Sequence, residues 1–263
     1  MLIFLRAGRS IPARIHFLKL FRFGIMKPES RLPFDRFAWL TFDCYGTLID
    51  WESGILTALK PVLAVHTKAL SDPELLALYG RLEAEAEQGE YRRYREVLRQ
   101  VVRDVGDRLG FSPSAAELDS LSDSLPRWQP FPDTVAALRR LKARHKLAII
   151  SNVDDDLFAY TKRHLGIDLD DVITAQQARS YKPSLNNFQL ALRRIAVPPY
   201  SVLHVAQSVY HDVAPAKSLG ISTVWVNRQA GKPGAGATKI STAQPDIEVP
   251  DLKTLADLMM GKE

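Results

Sequence analysis

The sequence predicts an α/β fold: a parallel sheet with a block of helices inserted after its first strand. Three observations carry that prediction. Phe37 to Phe42 is a short apolar and aromatic run that reads as a buried strand, and it stops abruptly at a charge, Asp43. From Trp51 to about Trp128 the apolar residues recur at three- and four-residue spacing, with no convincing strand among them. Beyond Pro132 strand-like and helix-like stretches alternate, as they do in a parallel sheet.

The chain has 263 residues, enough for one large domain or for a core carrying a smaller one. With 46% hydrophobic and 25% charged residues, its composition is that of an ordinary globular protein able to bury a sizeable core. The net charge of +5 is local, because Arg6, Arg9, Arg14, Lys19 and Arg22 lie among the first 25 residues, which contain no acid. Without them the formal charge is zero, so the rest of the chain has no electrostatic footprint for nucleic acid. The single cysteine, Cys44, excludes an internal disulfide and suggests a reducing compartment, the cytoplasm. No charged neighbour in sequence activates it, so it reads as a small buried residue rather than a nucleophile.

Residues 1–25 mix basic and apolar residues as transit peptides do. Arg and Lys break every apolar stretch, which leaves no membrane span, and no small-residue cleavage site follows an apolar core. The favoured reading is a translation start at Met26 or a disordered tail, with residues 1–35 as an extension. The helical block, residues 51–129, reads as a cap over the strand ends of a core formed by residues 36–50 and 130–263. Within it, Ile55, Leu56, Leu59, Val62 and Leu63 form one helical stripe, and Leu75, Leu76, Leu78, Tyr79 and Leu82 a second. Tyr94, Val97, Leu98, Val101 and Val102 form a third.

Pro126, Pro130 and Pro132 mark the return to the core. Asp133 suits the N-cap of the next helix. Strands follow at Leu147–Ile150, Asp171–Thr174, Val202–Ala206, Ile221–Val226 and near Ile247. Helices lie between them near 157–165 and 184–195, then from Asp212, and last at the carboxyl end. Gly231–Ala237 reads as a surface loop.

The chemistry is positional. Asp43, Ser151-Asn152, Lys182 and Gln207–Asp212 each follow a predicted strand, and the carboxyl ends of parallel strands share one edge. Two carboxylates, an ammonium, a hydroxyl and an amide would meet there. A buried Asp is costly alone, so Lys182 makes sense as its counter-ion.

These stretches resemble the motifs of the haloacid dehalogenase superfamily, over residues 36–258. Asp43-Cys44-Tyr45-Gly46-Thr47-Leu48 matches the first motif, Ser151-Asn152 the second and Tyr181-Lys182-Pro183 the third. His204 to Ser208, with Asp212 and Ala216-Lys217-Ser218-Leu219-Gly220, matches the fourth. The resemblance implies a Rossmann-like core with an inserted cap. Phosphatases of the superfamily carry an Asp two residues after the nucleophile and a Gly-Asp-Ser in the fourth motif; here Tyr45 and Ala206-Gln207-Ser208 stand there. Too few hard anionic ligands then remain for Mg²⁺.

Asp-x-Tyr-Gly-Thr resembles instead the metal-free L-2-haloacid dehalogenase branch, which implies a small carboxylic-acid substrate and neither metal nor cofactor. By that resemblance Asp43 displaces halide and forms an aspartyl ester, and Asp212 positions or deprotonates the hydrolytic water. Lys182 keeps Asp43 ionised. Ser151 and Asn152 bind the substrate carboxylate or halide, the Cys44 and Tyr45 amides form an oxyanion site, and Thr47 and Gln207 complete the substrate-binding set.

The family also uses a cap arginine for halide. Arg81 is the candidate and Arg92, Arg93 and Arg95 are alternatives, although a solvated helix face suits any one of them. The Ser and Asn that the dehalogenases place five and three residues before the last Asp are Gln207 and Val209 here. Tyr45 and Trp51 suit an apolar pocket wall, and His211 lies where it would tune Asp212. Four readings stand: a 2-haloacid hydrolase, the same nucleophile with another leaving group such as a strained C–N bond, a non-catalytic binding protein, and a residual phosphatase. The apolar surface of the cap leaves a homodimer open.

Overall fold

The structure, a computed structural model, describes residues 32–230, 237 and 241–262. The expectations for residues 1–25 and for most of the glycine-rich loop lie outside that range. Ala237 lies within it and is buried, so the end of the expected surface loop is tucked in: its amide donates to Glu52 at 3.0 Å.

Six parallel strands form one sheet: β1 (Trp39–Phe42), β2 (Lys146–Ser151), β3 (Asp171–Thr174), β4 (Val202–Ala206), β5 (Ser222–Val226) and β6 (Ile247–Val249). Their order is β3-β2-β1-β4-β5-β6. The chain therefore builds outward from β1 on one side, then crosses back and builds outward on the other. The direction reverses between β1 and β4, and in open α/β sheets the crevice at such a reversal receives ligands.

All four residues of β1 are buried, which explains a continuous apolar run in place of alternation. Successive side chains still face opposite sides. Leu40, Phe42, Leu147, Ile149, Leu203 and Val205 join the larger core, whereas Trp39, Ala148, Ile150 and Val202 join a smaller one. Helices α6 (Thr134–Lys142), α7 (Asp155–Leu165) and α11 (Leu252–Met260) contribute to the larger cluster, and α9 (Leu185–Ile195) closes the smaller with Phe188, Ala191 and Ile195. Two short helices, α8 (Ala175–Ala178) and α10 (Ala214–Ser218), complete the core.

Between β1 and α6 lie only helices: α1 (Trp51–Val65), α2 (Asp72–Ala86), α3 (Tyr94–Leu109), α4 (Ala115–Leu118) and α5 (Ser120–Ser124), then a 3₁₀ turn at Leu125–Arg127. The expected stripes are the buried faces, with Val97, Leu98, Val101, Val102 and Val105 inward on α3. Two expectations shift. Asp133 does precede α6, but its carboxylate accepts from Arg228 Nη1 at 2.8 Å and from the Leu252 amide at 2.7 Å, tying α6 to the loop after β5 and to α11. Asp212 does not open a helix; it lies inside a π-helical turn, Val209–Val213, that precedes α10.

Gly54 sets how closely α1 approaches the end of the helical block. A Cβ there would lie 2.5 Å from the Trp128 indole, whose Nε1 is held by Ser124 Oγ at 2.9 Å. Gly54→Ala is expected to destabilise the protein by about 1–3 kcal/mol through overpacking, read as a lower urea midpoint with an unchanged denaturant slope.

Candidate active site

The β1 pairing continues one residue past the strand, where the Asp43 amide donates to Val205 O at 3.1 Å. The chain then folds back on itself, and Cys44 O accepts from Leu48 N at 2.7 Å and Ile49 N at 3.0 Å. Gly46 makes the turn possible. Its φ is +91°, and a Cβ would sit 2.9 Å from Trp51 Nε1. This turn brings Thr47 back under Asp43. The Thr47 hydroxyl donates to Asp43 Oδ2 at 2.6 Å and accepts from the Gln207 amide at 2.8 Å, clamping the ends of β1 and β4 together.

Lys182 stands opposite. Its ammonium donates to Asp43 Oδ1 at 2.8 Å, Asp212 Oδ1 at 2.6 Å and Ile150 O at 2.9 Å. An ammonium has three donors, so all are committed. Asp212 Oδ1 also accepts from His204 Nε2 at 3.0 Å, which leaves His204 Nδ1 to accept from the Thr41 hydroxyl at 2.9 Å. Burial by itself would lower the Lys182 pKa, but Asp212 and Asp43 reverse this and raise it well above the ordinary lysine value. Burial pushes the Asp43 carboxyl up; Lys182 opposes that, and the Asp212 charge adds to it. Burial acts on Asp212 likewise, yet Lys182 and the hydrogen bond from His204 outweigh it and hold Asp212 below the ordinary range.

A cleft opens above this trio, with about 440 Å³ of space between atoms, part of it open solvent. Asp43, Tyr45, Ser151, Asn152, Lys182, Gln207 and Asp212, all expected at the site, line it together with Trp51, Ser208 and His211. Two of these groups have no hydrogen-bond partner among the described residues, Ser151 Oγ and Asp212 Oδ2, although both are buried. Asn152 acts on the protein itself: Oδ1 accepts from the Lys182 amide at 2.7 Å and Nδ2 donates to Lys182 O at 3.2 Å, which pins the loop carrying the lysine. The Tyr45 hydroxyl is hydrogen-bonded to Thr161 at 2.8 Å, so its ring forms a wall.

Two expected residues, Thr47 and Arg81, fall elsewhere. Thr47 lies fully buried beneath the cleft, in contact with Asp43 rather than with a ligand. The Cys44 side chain is buried in the core, as its sequence reading expects, and burial pushes its thiol pKa well up. Arg81 is on the exposed face of α2 and does not line the cleft. It follows Tyr79 by two residues, about 200° around the helix from that buried ring. The alternative arginines are absent from the lining too. Arg92 donates to Ala86 O at 2.6 Å, and Arg93 and Arg95 each pair with Asp156 at 3.0 Å.

In place of an arginine the helical block presents Glu83, Glu87 and Tyr94 to the cleft. Glu83 Oε1 accepts from Tyr79 at 2.7 Å and from Tyr94 at 2.5 Å. Glu87 accepts from Asn152 Nδ2 at 3.3 Å. Burial raises the pKa of both glutamates, and Glu83 raises that of Glu87 further. Their signal in the sequence was the four-residue spacing of Tyr79, Glu83 and Glu87, which puts carboxylates on the same helix face as buried apolar residues.

For a metal the donor set is unsuitable. Among the described residues no group of three or more His, Cys, Asp or Glu side chains is placed to hold an ion, and the facing oxygens of Asp43 and Asp212 already bind an ammonium. Removing that ammonium leaves two buried like charges. Lys182→Met is therefore expected to cost about 3–5 kcal/mol at pH 7. Both carboxyl pKa values would then stand above their unfolded values, so the variant should regain stability as pH falls through them. The wild type keeps the contribution of Asp212 through that range and loses it only at lower pH, below the ordinary aspartate value, because its folded pKa lies below its unfolded one. Denaturant titrations at pH 7 and pH 5 check the sign for the variant, and at pH 5 and about pH 3 that for the wild type.

A sequence profile of haloacid dehalogenase-like hydrolases matches residues 37–220. The chain is 28% identical over 229 residues to (S)-2-haloacid dehalogenase H-109 of Pseudomonas putida, covering 84% of this chain and 97% of that one. It is 25% identical over 226 residues to haloacetate dehalogenase H-2 of Moraxella sp. (strain B), covering 84% and 96%. The L-2-haloacid dehalogenase of Xanthobacter autotrophicus, solved with chloropropionic acid covalently bound, superposes with a TM-score of 0.71 at 24% identity, covering 86% of this chain and all of that one. The parallel sheet with its switch point beside Asp43 is thus a shared fold, and by the profile match this chain belongs to the haloacid dehalogenase-like hydrolase family.

Proposed function

We propose that this protein is a metal-independent hydrolase of the (S)-2-haloacid dehalogenase type, converting a small 2-haloacid to a 2-hydroxy acid through an ester on Asp43. The observation that carries the reading is Asp43 itself: a carboxylate at the end of the central strand, on the cleft floor, held by Lys182 on one oxygen and Thr47 on the other. Similarity to dehalogenases along most of the chain supports the same chemistry. On this reading residues 51–129 are the cap and residues 36–50 with 130–263 the catalytic core.

In the first step an Asp43 oxygen attacks the carbon bearing the halogen. A C–O bond forms, the C–X bond breaks, and halide leaves with the bonding pair, inverting the carbon. Ester formation removes the Asp43 charge, so Lys182 then balances Asp212 alone. Asp212 Oδ2, without a partner among the described residues, accepts a proton from water as that water attacks the Asp43 carbonyl carbon. The Cys44 and Tyr45 amides are the donors for the oxyanion that forms. Collapse returns the carboxylate and releases the hydroxy acid, so each turnover consumes one water and yields halide and a proton. Ser151 Oγ, buried and also without a partner among the described residues, is a hydroxyl donor on the cleft lining for substrate. Asn152 is a positioning residue, because it works through Lys182.

A second reading keeps Asp43 and changes the leaving group. Its support is that no arginine among the described residues lines the cleft and Lys182 has no donor left for a departing halide.

With 2-chloropropionate and no added metal, halide release and a transient mass increase on the Asp43 peptide are expected together. Asp43→Asn should reduce turnover by on the order of 10⁴-fold or more, and Asp212→Asn should let the ester accumulate. No halide and no adduct would sink the reading. Catalysis needs ionised Asp43, whose pKa is raised. The acid limb of kcat/KM is therefore expected above the ordinary aspartate value, with activity falling as pH drops through it.

A further inference from the structure

We infer that the substrate of this cleft carries an ammonium group, held by Glu83 and Glu87, so that the preferred 2-haloacid is an amino-substituted one. The inference rests on the hydrolase reading above and deepens it.

Charge balance in the cleft is the first argument. Among the described residues its lining includes four carboxyl groups, those of Asp43, Asp212, Glu83 and Glu87, against a single lysine. That lysine has committed all three donors to Asp43, Asp212 and Ile150 O. The remaining ionisable groups on the lining are His211, Tyr45 and Tyr94. His211 is hydrogen-bonded to Ser208 through Nδ1 at 3.2 Å, and the Tyr45 and Tyr94 hydroxyls are directed to Thr161 and Glu83. A substrate offering only a carboxylate would bring a further negative charge to these acids without a guanidinium to meet it.

The glutamates are also built in rather than incidental. Glu83 is almost wholly buried, and two tyrosine hydroxyls converge on its Oε1. That arrangement aims a carboxylate and leaves Oε2 available. Glu87 stands four residues on along the same helix face and is steadied by Asn152. Burial is the main reason both carboxyl pKa values are raised, and repulsion from Glu83 adds to the rise at Glu87. A cation between them removes that repulsion and supplies the donors they lack.

A second, independent feature indicates that the cleft awaits a polar ligand. Ser151 Oγ and Asp212 Oδ2 are buried on the same lining with no partner among the described residues, and a buried polar atom without a partner is costly. The glutamate pair also connects to the nucleophile through a short chain of contacts, from Glu87 to Asn152 to Lys182 to Asp43. Asp43 and both glutamates line the same cleft, so one small molecule is placed to meet both. Its halogen-bearing carbon meets Asp43 and its ammonium meets the glutamates. The reaction is unchanged: water replaces halide, a proton and halide are released, and the ammonium keeps its charge throughout.

The test compares 4-amino-2-chlorobutanoate with 2-chloropentanoate, a near-isosteric pair, by halide release from the full chain at pH 7. The wild type is expected to favour the amino compound at least tenfold in kcat/KM, mainly through KM. Glu87→Gln and Glu83→Gln, each checked for folding by circular dichroism, should narrow that ratio at least fivefold. A ratio near one in the wild type, or one unchanged in both variants, overturns the inference.

Unreactive 4-aminobutanoate and pentanoate, followed by ligand-observed NMR, provide a reading independent of turnover. Tighter binding of the amine that is lost in Glu87→Gln upholds the charge preference; equal or weaker binding overturns it. If neither chloro acid releases halide and Asp43 stays unmodified, the haloacid reading is what fails, and the binding comparison alone decides the charge preference.

Discussion

The Lys182 ammonium, with its three hydrogen bonds, is the interaction on which the site depends. It faces two buried carboxylates and a strand-end carbonyl, and it uses every donor it has. Each partner comes from a different strand end: Asp43 from β1, Ile150 from β2 and Asp212 from the turn after β4. The trio therefore holds only if the three strands keep their register. The site in turn depends on the sheet, whose direction of growth reverses at β1 and leaves a crevice there.

The same interaction divides labour between the two carboxylates. Both bind the same ammonium, but Asp212 also takes His204, while Asp43 takes Thr47 and lies on the cleft floor. Their pKa values move apart, Asp212 downward and Asp43 upward. Groups whose environments push their pKa values apart suit different tasks. Here the division is between an anion held in reserve and one presented to the cleft. Thr47 lies one contact further out beneath the cleft, and Asn152, although on the lining, fixes the geometry through Lys182.

The helical block contributes what the strand ends lack. Its Tyr79–Glu83–Tyr94 cluster is a polar network inside an otherwise apolar interface, and its members hydrogen-bond to one another. Such a network is costly unless satisfied, and it orients its members when it is. With Glu87 it gives the cleft an acidic upper wall, so the charge a ligand meets is set by helices that contribute nothing to the sheet.

The sequence by itself determined the fold class, the order of the elements and the strand-end chemistry. Those features are written in local terms: a buried strand reads as an apolar run, an amphipathic helix as a 3.6-residue stripe, and a parallel connection as their alternation. Asp43, Ser151, Asn152, Lys182 and Asp212 were legible because each lies at or beyond the carboxyl end of a strand, before the chain returns to the next one, and parallel strands bring such residues to one edge. Direction around a helix axis is harder to read when the flanking register is unknown. Arg81 and Glu83 are two residues apart, yet one faces solvent and the other the cleft. The fate of Thr47 and Asp133 was equally hidden, because their partners, Gln207, Arg228 and Leu252, lie more than ninety residues away along the chain. Only the tertiary structure decided which wall the helical block turns toward the nucleophile, because that depends on how α2 and α3 pack against the core and on no spacing within either helix.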